Sequence, residues 1–320
     1  MFSYRHAFHA GNHADTLKHL TLIGALRHVL RKPGPITLID THAGAGRYRL
    51  NSDMATTSGE AGTGVLRLLQ LLDERAAASP GAASDLLTDY RALLLAFNPR
   101  WPQTGRLTIY PGSPLVLHHY MTQPDRLDGA ASRDRLHLCE LHPTDSRALL
   151  ALAAGLSSNR RIHAQRTDGL AALRALLPPP ADGSGSRRAL ALIDPSYEIK
   201  SDYANVEEAM HDALRRFATG VYLVWYPIIG RAQAHELPRR LKNIARLAGR
   251  GWLHATLNIG RAPATPGQAA QGLTASGMFV VNPPYPLADA LRAVLPDVQS
   301  ALAQGPGQGW LVEDENNTGR

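Results

Sequence analysis

The sequence predicts an α/β fold in which helices cover both faces of a doubly wound, mostly parallel sheet. Short, almost continuously apolar runs alternate along the chain with segments of helical periodicity. Strands that are buried on both faces have such compositions, and strands that alternate with helices form open parallel sheets. The last two strands are joined by a loop rich in Gly, Pro and Ala that is too short for a crossover helix, so we expect them to pair antiparallel.

The predicted elements follow one another in the strand–helix order of this fold. Strands are expected at residues 36–40, 136–140, 162–165, 189–194, 220–225, 252–258 and 277–281. Helices are expected at residues 15–30, 65–72, 86–97, 146–156, 169–177, 202–217 and 235–247. Almost a hundred residues separate the first two strands, where a strand–helix–strand unit uses about thirty. We therefore assign residues 1–50 and 106–303 to the sheet domain, 51–105 to a helical insertion and 304–320 to a disordered tail.

Composition and charge exclude several classes of protein. The chain has 320 residues, of which 44% are apolar and 19% charged, as in ordinary globular proteins. Its single cysteine, Cys139, excludes an internal disulfide and a cysteine-based metal cluster, and we expect it to pack in the core. No apolar run approaches the roughly 20 residues of a membrane span, and the N-terminus lacks the apolar core of a secretory signal, so we expect a cytoplasmic protein. The net charge of +7 favours a polyanionic partner.

The first strand ends in a turn that can approach a ligand. Asp40 is followed by Gly44-Ala45-Gly46, a sequence that brings the backbone close to a small molecule at the carboxyl edge of a sheet. The third glycine of a dinucleotide fingerprint is absent, because position 49 is Arg49, so a nucleoside ligand is favoured over NAD. A tight turn without any ligand is the alternative.

Three polar residues at later strand or helix ends can contact the same ligand. Glu140 ends the second strand, where a carboxylate can accept hydrogen bonds from both hydroxyls of a ribose; an ordinary solvated glutamate is the alternative. Asp168 and Ser113 each precede a helical segment, so N-capping alone also explains them.

The sequence Asp194-Pro195-Ser196-Tyr197, at the end of the fourth strand, indicates a reaction. Loops of the type Asp/Asn-Pro-Pro-aromatic occur in methyltransferases that act on exocyclic amines of nucleobases. The N6 lone pair of adenine is delocalised into the ring, and a carboxylate together with a main-chain carbonyl can accept both N6 hydrogens and favour a nucleophilic, pyramidal nitrogen. We therefore expect Asp194 and the Pro195 carbonyl to activate the amine, and Tyr197 to stack on an extruded base.

A second copy of the pattern, Asn282-Pro283-Pro284-Tyr285, follows the last strand. Because that strand is expected to run antiparallel, its loop emerges at the edge of the sheet opposite to Gly44. Ligands bind at the carboxyl ends of the parallel strands, so we expect the second copy to terminate a strand and to take no part in catalysis.

Several motifs together resemble one family of enzymes. They are Tyr4-Arg5-His6-Ala7-Phe8-His9-Ala10-Gly11-Asn12-His13-Ala14-Asp15, Lys18-His19, Asp40-Thr41-His42-Ala43-Gly44-Ala45-Gly46-Arg47-Tyr48, Tyr110-Pro111-Gly112-Ser113-Pro114, Glu140-Leu141-His142-Pro143, Asp168-Gly169 and Thr274-Ala275-Ser276-Gly277-Met278. In this order the chain resembles the bacterial 23S rRNA (adenine-N6)-methyltransferase J family, from its first residues to about Pro286. The N-terminal motif is the most specific, because no requirement of the fold explains it.

This resemblance implies a Rossmann-like class I methyltransferase with a small helical insertion, which uses S-adenosylmethionine to methylate N6 of one adenine in 23S rRNA. It implies cofactor contacts at His19, His42, Ser113, Glu140, Asp168, Gly169 and Asp194. It also implies Asp194 as the catalytic acceptor and Tyr4 as a residue that touches the RNA. We expect residues 1–14 to fold over the site and to present Tyr4, Arg5 and His6 to the RNA. We further expect a monomer without metal that binds 23S rRNA, naked or in an early assembly intermediate, and no membrane.

One departure from the family pattern leaves alternatives open. The family has a second proline where this chain has Ser196, which removes a fixed φ angle and some rigidity. A catalytically inactive RNA-binding or ribosome-assembly protein is therefore one alternative, and an enzyme that methylates DNA adenine is another. A metal site at His6, His9 and His13 would need one regular helix, which Gly11 disfavours.

A basic cluster is expected to be either a solvated helix face or a surface that binds RNA phosphates. Its residues are Arg231, Arg239, Arg240, Lys242, Arg246 and Arg250, with Arg187, Arg188, Arg215 and Arg216 as further members of such a surface.

Overall fold

A computed structural model of the chain describes residues 5–32, 34–78, 85–123, 133–156, 161–182, 185, 187–261 and 272–315. Its strands are β1 (Thr37–Asp40), β2 (Arg47–Arg49), β3 (Ile109–Pro111), β4 (Arg135–Cys139), β5 (Ile162–Gln165), β6 (Ala189–Ile193), β7 (Val221–Pro227), β8 (Trp252–Asn258), β9 (Ala275–Val281) and β10 (Gly309–Asp314). Its α-helices are α1 (His13–Val29), α2 (Asp53–Ser58), α3 (Glu60–Thr63), α4 (Val65–Ala78), α5 (Asp85–Phe97), α6 (Trp101–Thr104), α7 (Ser113–Met121), α8 (Pro143–Leu156), α9 (Gly169–Leu176), α10 (Ser201–Arg216), α11 (Ala232–Leu247) and α12 (Leu287–Leu302).

In the described part of the chain, eight strands form one sheet in the order β10-β8-β9-β7-β6-β1-β4-β5. Strand β1 pairs parallel with β4 and β6, and the parallel pairing continues to β5 on one side and to β7 on the other. Strand β9 runs antiparallel to β7 and β8, and β10 runs antiparallel to β8. The predicted sheet, mostly parallel with an antiparallel end, is therefore confirmed. The carboxyl ends of β1, β4, β5, β6 and β7 meet at one edge.

Helices cover both faces of this sheet. Leu38 and Ile39 are neighbours in β1 with side chains on opposite faces, and both are fully buried. Helices α1, α7 and α12 form one contacting group, and α9, α10 and α11 form another. Helix α1 is buried nearly all round because α5, α7 and α12 pack around it. No helix within the described segments is long and apolar enough to cross a membrane.

Helices of the segment 51–105 hold the N-terminal residues in place. The amide of Val65, at the start of α4, donates to the Gly11 carbonyl over 2.7 Å. The carboxylate of Glu60 lies 3.0 Å from His9 Nδ1 and accepts from Asn12 Nδ2 over 2.9 Å. Gly11 has a φ of +81°, and a Cβ there would lie 2.8 Å from the Val65 side chain. Close approach of the two segments therefore requires glycine at this position.

Several elements of the fold were absent from the sequence prediction. Strands β2 and β3 form a separate two-stranded antiparallel sheet, and α12 was not predicted although Leu287, Leu291, Val294 and Val298 have helical spacing. The interior Pro296 obscured that pattern.

The prediction of a disordered tail at 304–320 is wrong for β10, while residues 316–320 lie outside the described residues. Strand β10 pairs with the edge of β8 and buries Val312. Its two acids are also bound, because Lys242 Nζ donates to Glu313 over 2.5 Å and Arg292 Nη2 donates to Asp314 over 2.6 Å. Pairing with a strand about fifty residues earlier leaves no local periodicity in the sequence.

The second copy of the proline motif terminates β9 at the edge opposite to the carboxyl ends of the parallel strands, as expected. Val281 pairs with Tyr222 at the beginning of β7. Asn282 has a φ of +54°, and its Nδ2 donates to the carbonyls of Ala218 and Gly220 over 2.8 and 2.6 Å. Asn282 is thus a structural residue that ties the end of β9 to the loop before β7.

We predict that Asn282→Gly lowers the free energy of unfolding by about 1–3 kcal/mol, because two backbone carbonyls lose their donors. Asn282→Ala should cost about 1 kcal/mol more, since alanine disfavours the left-handed backbone region that glycine tolerates. Urea denaturation of the three proteins measures this order. Equal stability of Asn282→Gly and the parent would show that the two hydrogen bonds contribute nothing.

Candidate active site

A cavity of about 490 Å³ opens at the carboxyl edge of the parallel strands. A volume of this order suits a small organic ligand. Its walls come from the loops after β1, β4 and β6, the beginnings of α7 and α9, and the buried helix α1. All the residues expected to contact a cofactor line it: His19, His42, Ser113, Glu140, Asp168, Gly169 and Asp194. Six separate segments thus converge on one site, as the rule for parallel sheets requires.

Close backbone approach at the floor of the cavity depends on glycine. Gly44, in the loop after β1, has a φ of +59°. At Gly169, the first residue of α9, a Cβ would lie 1.7 Å from the carbonyl oxygen of Thr41. Only glycine therefore allows α9 to begin against the β1 loop. Asp40 is fully buried beneath this turn, and burial raises its pKa to about 7.

Glu140 is held by the backbone with both carboxylate oxygens oriented. Its Oε2 accepts from the amide of Gly44 over 2.8 Å, and its Oε1 accepts from the amide of His142 over 2.7 Å. Burial raises the pKa of Glu140, and the two amides oppose that change. Each carboxylate oxygen can still accept a further hydrogen bond from the cavity side.

Asp168 and Ser113 each settle one of the alternatives left by the sequence. Asp168 is the N-cap of α9, with its Oδ1 accepting from Leu170 N over 2.8 Å and from Ala171 N over 3.2 Å. It also lines the cavity, so capping and ligand contact are compatible. Ser113 makes no capping hydrogen bond, because the N-cap of α7 is Gly112.

The buried His19 and the half-buried His42 line the cavity in the neutral form. Burial lowers the pKa of His42 to about 4 and that of His19 to about 3. His19 Nδ1 lies 2.9 Å from the Tyr110 hydroxyl, and its Nε2 is buried without a hydrogen-bond partner among the described residues. The Thr41 hydroxyl lies 3.0 Å from the Leu192 carbonyl and 2.8 Å from His42 Nδ1. These rings offer polar atoms to a ligand without adding charge.

Lys18 is a site residue that the analysis of catalytic motifs missed. Its Nζ lies 2.7 Å from Asp194 Oδ2 and 2.8 Å from Asp15 Oδ1, and its side chain is only 6% exposed. Asp15 also accepts from the amide of Gly11 and lies 2.9 Å from His6 Nε2. The motif Lys18-His19 was noted in the sequence, but the contact with Asp194 spans 176 residues and has no local signal.

The electrostatics of Asp194 are set by opposing effects. Burial raises its pKa, and the ammonium group of Lys18 lowers it by charge and by a hydrogen bond. The pKa of Lys18 itself is held well above its ordinary value by Asp15 and Asp194, despite burial. Lys18 therefore stays charged and favours an ionised Asp194.

The structure does not bring Tyr197 into the cavity, where the sequence placed it as a stacking group. Its side chain is 2% exposed and packs against Tyr203 and Trp225. The Tyr197 hydroxyl donates to the Trp225 carbonyl over 2.8 Å. Pro195 does line the cavity, together with Ser196. The direction of the Tyr197 ring was not predictable because it depends on a left-handed backbone with φ +53°.

Of the N-terminal residues expected to contact RNA, the structure describes Arg5 and His6. His6 lines the cavity, and Arg5 Nε lies 3.4 Å from Asp145, which also lines it. Tyr4 lies outside the described residues.

Comparisons with known proteins agree with this geometry. Residues 33–313 match the family model described as "Ribosomal RNA large subunit methyltransferase D, RlmJ". The chain is 36% identical to "Ribosomal RNA large subunit methyltransferase J" of Escherichia coli (strain K12), across 98% of this chain and 100% of that protein. It is 34% identical to the protein of the same name from Haemophilus influenzae, across 98% of each. The crystal structure of protein LPL1258 from Legionella pneumophila has a TM-score of 0.74 at 31% identity, covering 95% of this chain and 98% of that one.

This chain belongs to the RlmJ family. The resemblance drawn from the sequence motifs is confirmed, and so is the Rossmann-like methyltransferase fold with its mostly parallel sheet. Asp194 directly follows β6, at the same edge of the sheet as Gly44 and Glu140.

The three N-terminal histidines do not share one helix face. His6 lies in a short 3-10 turn and contacts Asp15, His9 contacts Glu60, and His13 begins α1 with its pKa lowered to about 4 by burial. In the described segments, no group of three His, Cys, Asp or Glu side chains is close enough to hold a metal ion.

Part of the basic cluster is paired with acids, as on a solvated helix face. Arg240 lies 2.7 Å from Glu207 and 2.8 Å from Glu236. Arg231 is not part of the surface, because its Nη1 donates to the Tyr197 carbonyl over 2.8 Å. Further paired cations are Lys242 with Glu313, and Arg215 and Arg216 with Asp212.

We predict that Gly169→Ala lowers the melting temperature by several degrees, because the new methyl group would overlap the Thr41 carbonyl. Gly155→Ala, in helix α8 with open space around the added Cβ, is the matched control and should be neutral or slightly stabilising. Differential scanning fluorimetry compares the two. A Gly169→Ala protein as stable as the control would contradict the close packing of α9 on the β1 loop.

Proposed function

We propose that this protein transfers a methyl group from S-adenosylmethionine to N6 of an adenine in 23S rRNA. The observation that carries the proposal is the joint placement of Asp194 and Pro195 on the wall of the cavity that gathers the expected cofactor residues. The named relatives are ribosomal RNA large subunit methyltransferases, which supports ribosomal RNA as the substrate class.

The residues of the cavity fit an adenosyl cofactor. Glu140 has acceptor capacity for ribose hydroxyls, and Asp168 retains its Oδ2 beside the capping bonds. His19 Nε2 is a buried polar atom that needs a partner. When bound, S-adenosylmethionine supplies a methyl group already activated by a sulfonium, so no covalent enzyme intermediate is required.

Activation of the amine then falls to the loop after β6. The ionised Asp194 carboxylate and the Pro195 carbonyl can accept the two N6 hydrogens, which directs the nitrogen lone pair away from the adenine ring. Lys18 keeps Asp194 ionised while leaving Oδ1 free to accept. Holding the amine in this orientation is the main task of the protein, since alignment alone can lower such barriers by about 7–11 kcal/mol.

RNA binding must deliver a base that is out of its helix, since the cavity cannot admit a paired one. The net charge of +7 supports attraction to a polyanion. We assign the first contacts with RNA to Tyr4, Arg5 and His6, of which His6 lines the cavity and Arg5 pairs with the lining residue Asp145. We propose that the protein acts as a monomer and that its substrate is naked 23S rRNA or an early assembly intermediate.

We expect Asp194→Ala to reduce kcat for methyl transfer to 23S rRNA by at least about 10²–10³-fold, because one of two acceptors for the amine is lost. The cofactor should still bind, since the other contacts remain. Tritiated methyl transfer to rRNA, DNA and protein, with mass spectrometry of the rRNA product, measures the reaction. Calorimetry with S-adenosylmethionine measures cofactor binding.

Asn282→Gly is the matched control, because it alters the second copy of the motif at the opposite edge. It should keep its kcat at a temperature where it is folded. Methylation of DNA alone would replace the rRNA assignment by DNA adenine. Cofactor and RNA binding without any transfer would favour the inactive assembly protein suggested by Ser196.

The pH dependence of transfer should report on Lys18. Protonation of Asp194 abolishes its acceptor role, so kcat/KM falls on the acid side through the pKa of Asp194. Removing the cation in Lys18→Met raises that pKa further, so the acidic limb should move to higher pH and the loss should be larger at pH 6 than at pH 8.5. Lys18→Arg keeps the charge and should keep the limb near its original position. An unchanged midpoint in Lys18→Met would contradict this role of the ammonium group.

A further inference from the structure

We propose that Arg231 is a positioning residue that holds the Asp194–Glu198 loop in shape and so replaces the rigidity lost with the second proline. This inference rests on the proposed function for its catalytic consequence, but its structural part stands alone. Arg231 Nη1 donates to the Tyr197 carbonyl over 2.8 Å and to the Glu198 carbonyl over 3.4 Å. Both carbonyls belong to the segment that follows the acceptors Asp194 and Pro195.

The position of Arg231 in its helix points to a role outside the helix. It is the N-cap residue of α11, and its side chain makes no capping hydrogen bond. Asp, Asn, Ser and Thr are preferred there because they bind the free amides, and the positive end of the helix dipole disfavours a cation. The contact that explains an arginine at this position is the pair of loop carbonyls.

Serine at position 196 does not restrict the backbone torsions that orient the proposed acceptor, the Pro195 carbonyl. A proline there would fix its own φ and would restrict Pro195, as the preceding residue, to extended ψ values. The ψ angle of Pro195 sets the direction of its carbonyl, which is the proposed acceptor of one N6 hydrogen. With Ser196 in that place, the chain itself no longer fixes this direction.

Contacts from the next strand restrict the loop instead. Tyr197 adopts a φ of +53°, which a bulky residue rarely does unless the surroundings impose it. Its hydroxyl donates to Trp225 O over 2.8 Å, and its ring packs between Tyr203 and Trp225. Arg231 holds the carbonyl of the same residue. Contacts from β7 thus hold the side chain of Tyr197, and a contact from the start of α11 holds its carbonyl. On the other side of Pro195, Lys18 binds Asp194.

The test combines loss of the clamp with return of the proline. Arg231→Met should lower kcat about tenfold, as for removal of a charge-assisted hydrogen bond that orients a reacting group, with little change in KM for S-adenosylmethionine. Ser196→Pro in the parent, which already has the clamp, gives the reference effect of the proline on kcat. In the Arg231→Met background the same proline should restore kcat about threefold or more, which a general loss of stability would not allow.

Two further variants serve as controls. Arg231→Lys keeps the charge but has one compact donor group in place of the planar fork, so it should lose part of the activity. Arg239→Met removes an exposed arginine of α11 that has no hydrogen bond or ion pair to any described residue, and its amides at residues 196–199 should exchange at the rates of the parent. If Ser196→Pro changes kcat by the same factor with and without Arg231, the proposal that Arg231 compensates for the missing proline is wrong.

Hydrogen–deuterium exchange of the free protein decides the clamp without any assay of activity. The amides of residues 196–199 should exchange faster in Arg231→Met than in the parent and in Arg239→Met. Unchanged exchange there would overturn the clamp, whatever the kinetics. If the parent transfers no methyl group to RNA, the proposed function fails, and the exchange data still decide the clamp.

Discussion

A buried ionic bridge from Asp15 through Lys18 to Asp194 joins the first helix to the carboxyl edge of the sheet. A lysine that is 6% exposed must be paired, because an isolated buried charge is very costly, and two carboxylates lie within 2.8 Å of it. Asp15 in turn contacts His6 and the amide of Gly11. The register of α1, the path of the N-terminal segment and the ionisation of Asp194 therefore depend on one another.

The candidate site combines stability and function in the same side chains. Asp168 caps α9 and borders the cavity, and Glu140 fastens the loop after β1 while offering lone pairs to a ligand. Gly169 is required for packing against Thr41 and also lines the cavity. A structural role and a ligand contact, which the sequence offered as alternatives, are therefore compatible in the same residue. A loop at the sheet edge must satisfy the hydrogen bonds of its own backbone before it can bind a ligand.

The Asp194–Glu198 loop, which we propose to be catalytic, is held in shape by contacts from other segments. Position 196 is a serine, Tyr197 is buried, and the Tyr197 carbonyl accepts from Arg231. Such a loop depends on the packing of β7 and α11, elements that carry none of the residues first expected in the site. The two copies of the proline motif also differ in the burial of their tyrosines, since Tyr197 is buried and Tyr285 is 89% exposed.

Burial on both faces and turn signals act locally along the chain, so they were enough to predict the parallel strands and the polar residues at their ends. The family resemblance added His19 and His42 as cofactor residues. The pairing of β10 with β8, the inward turn of Tyr197 and the contact of Lys18 with Asp194 are seen only in the folded chain. These depend on segments that meet after the sheet has formed, with up to 176 residues between the partners. Periodicity and turn signals extend over a few residues, so they cannot encode such meetings.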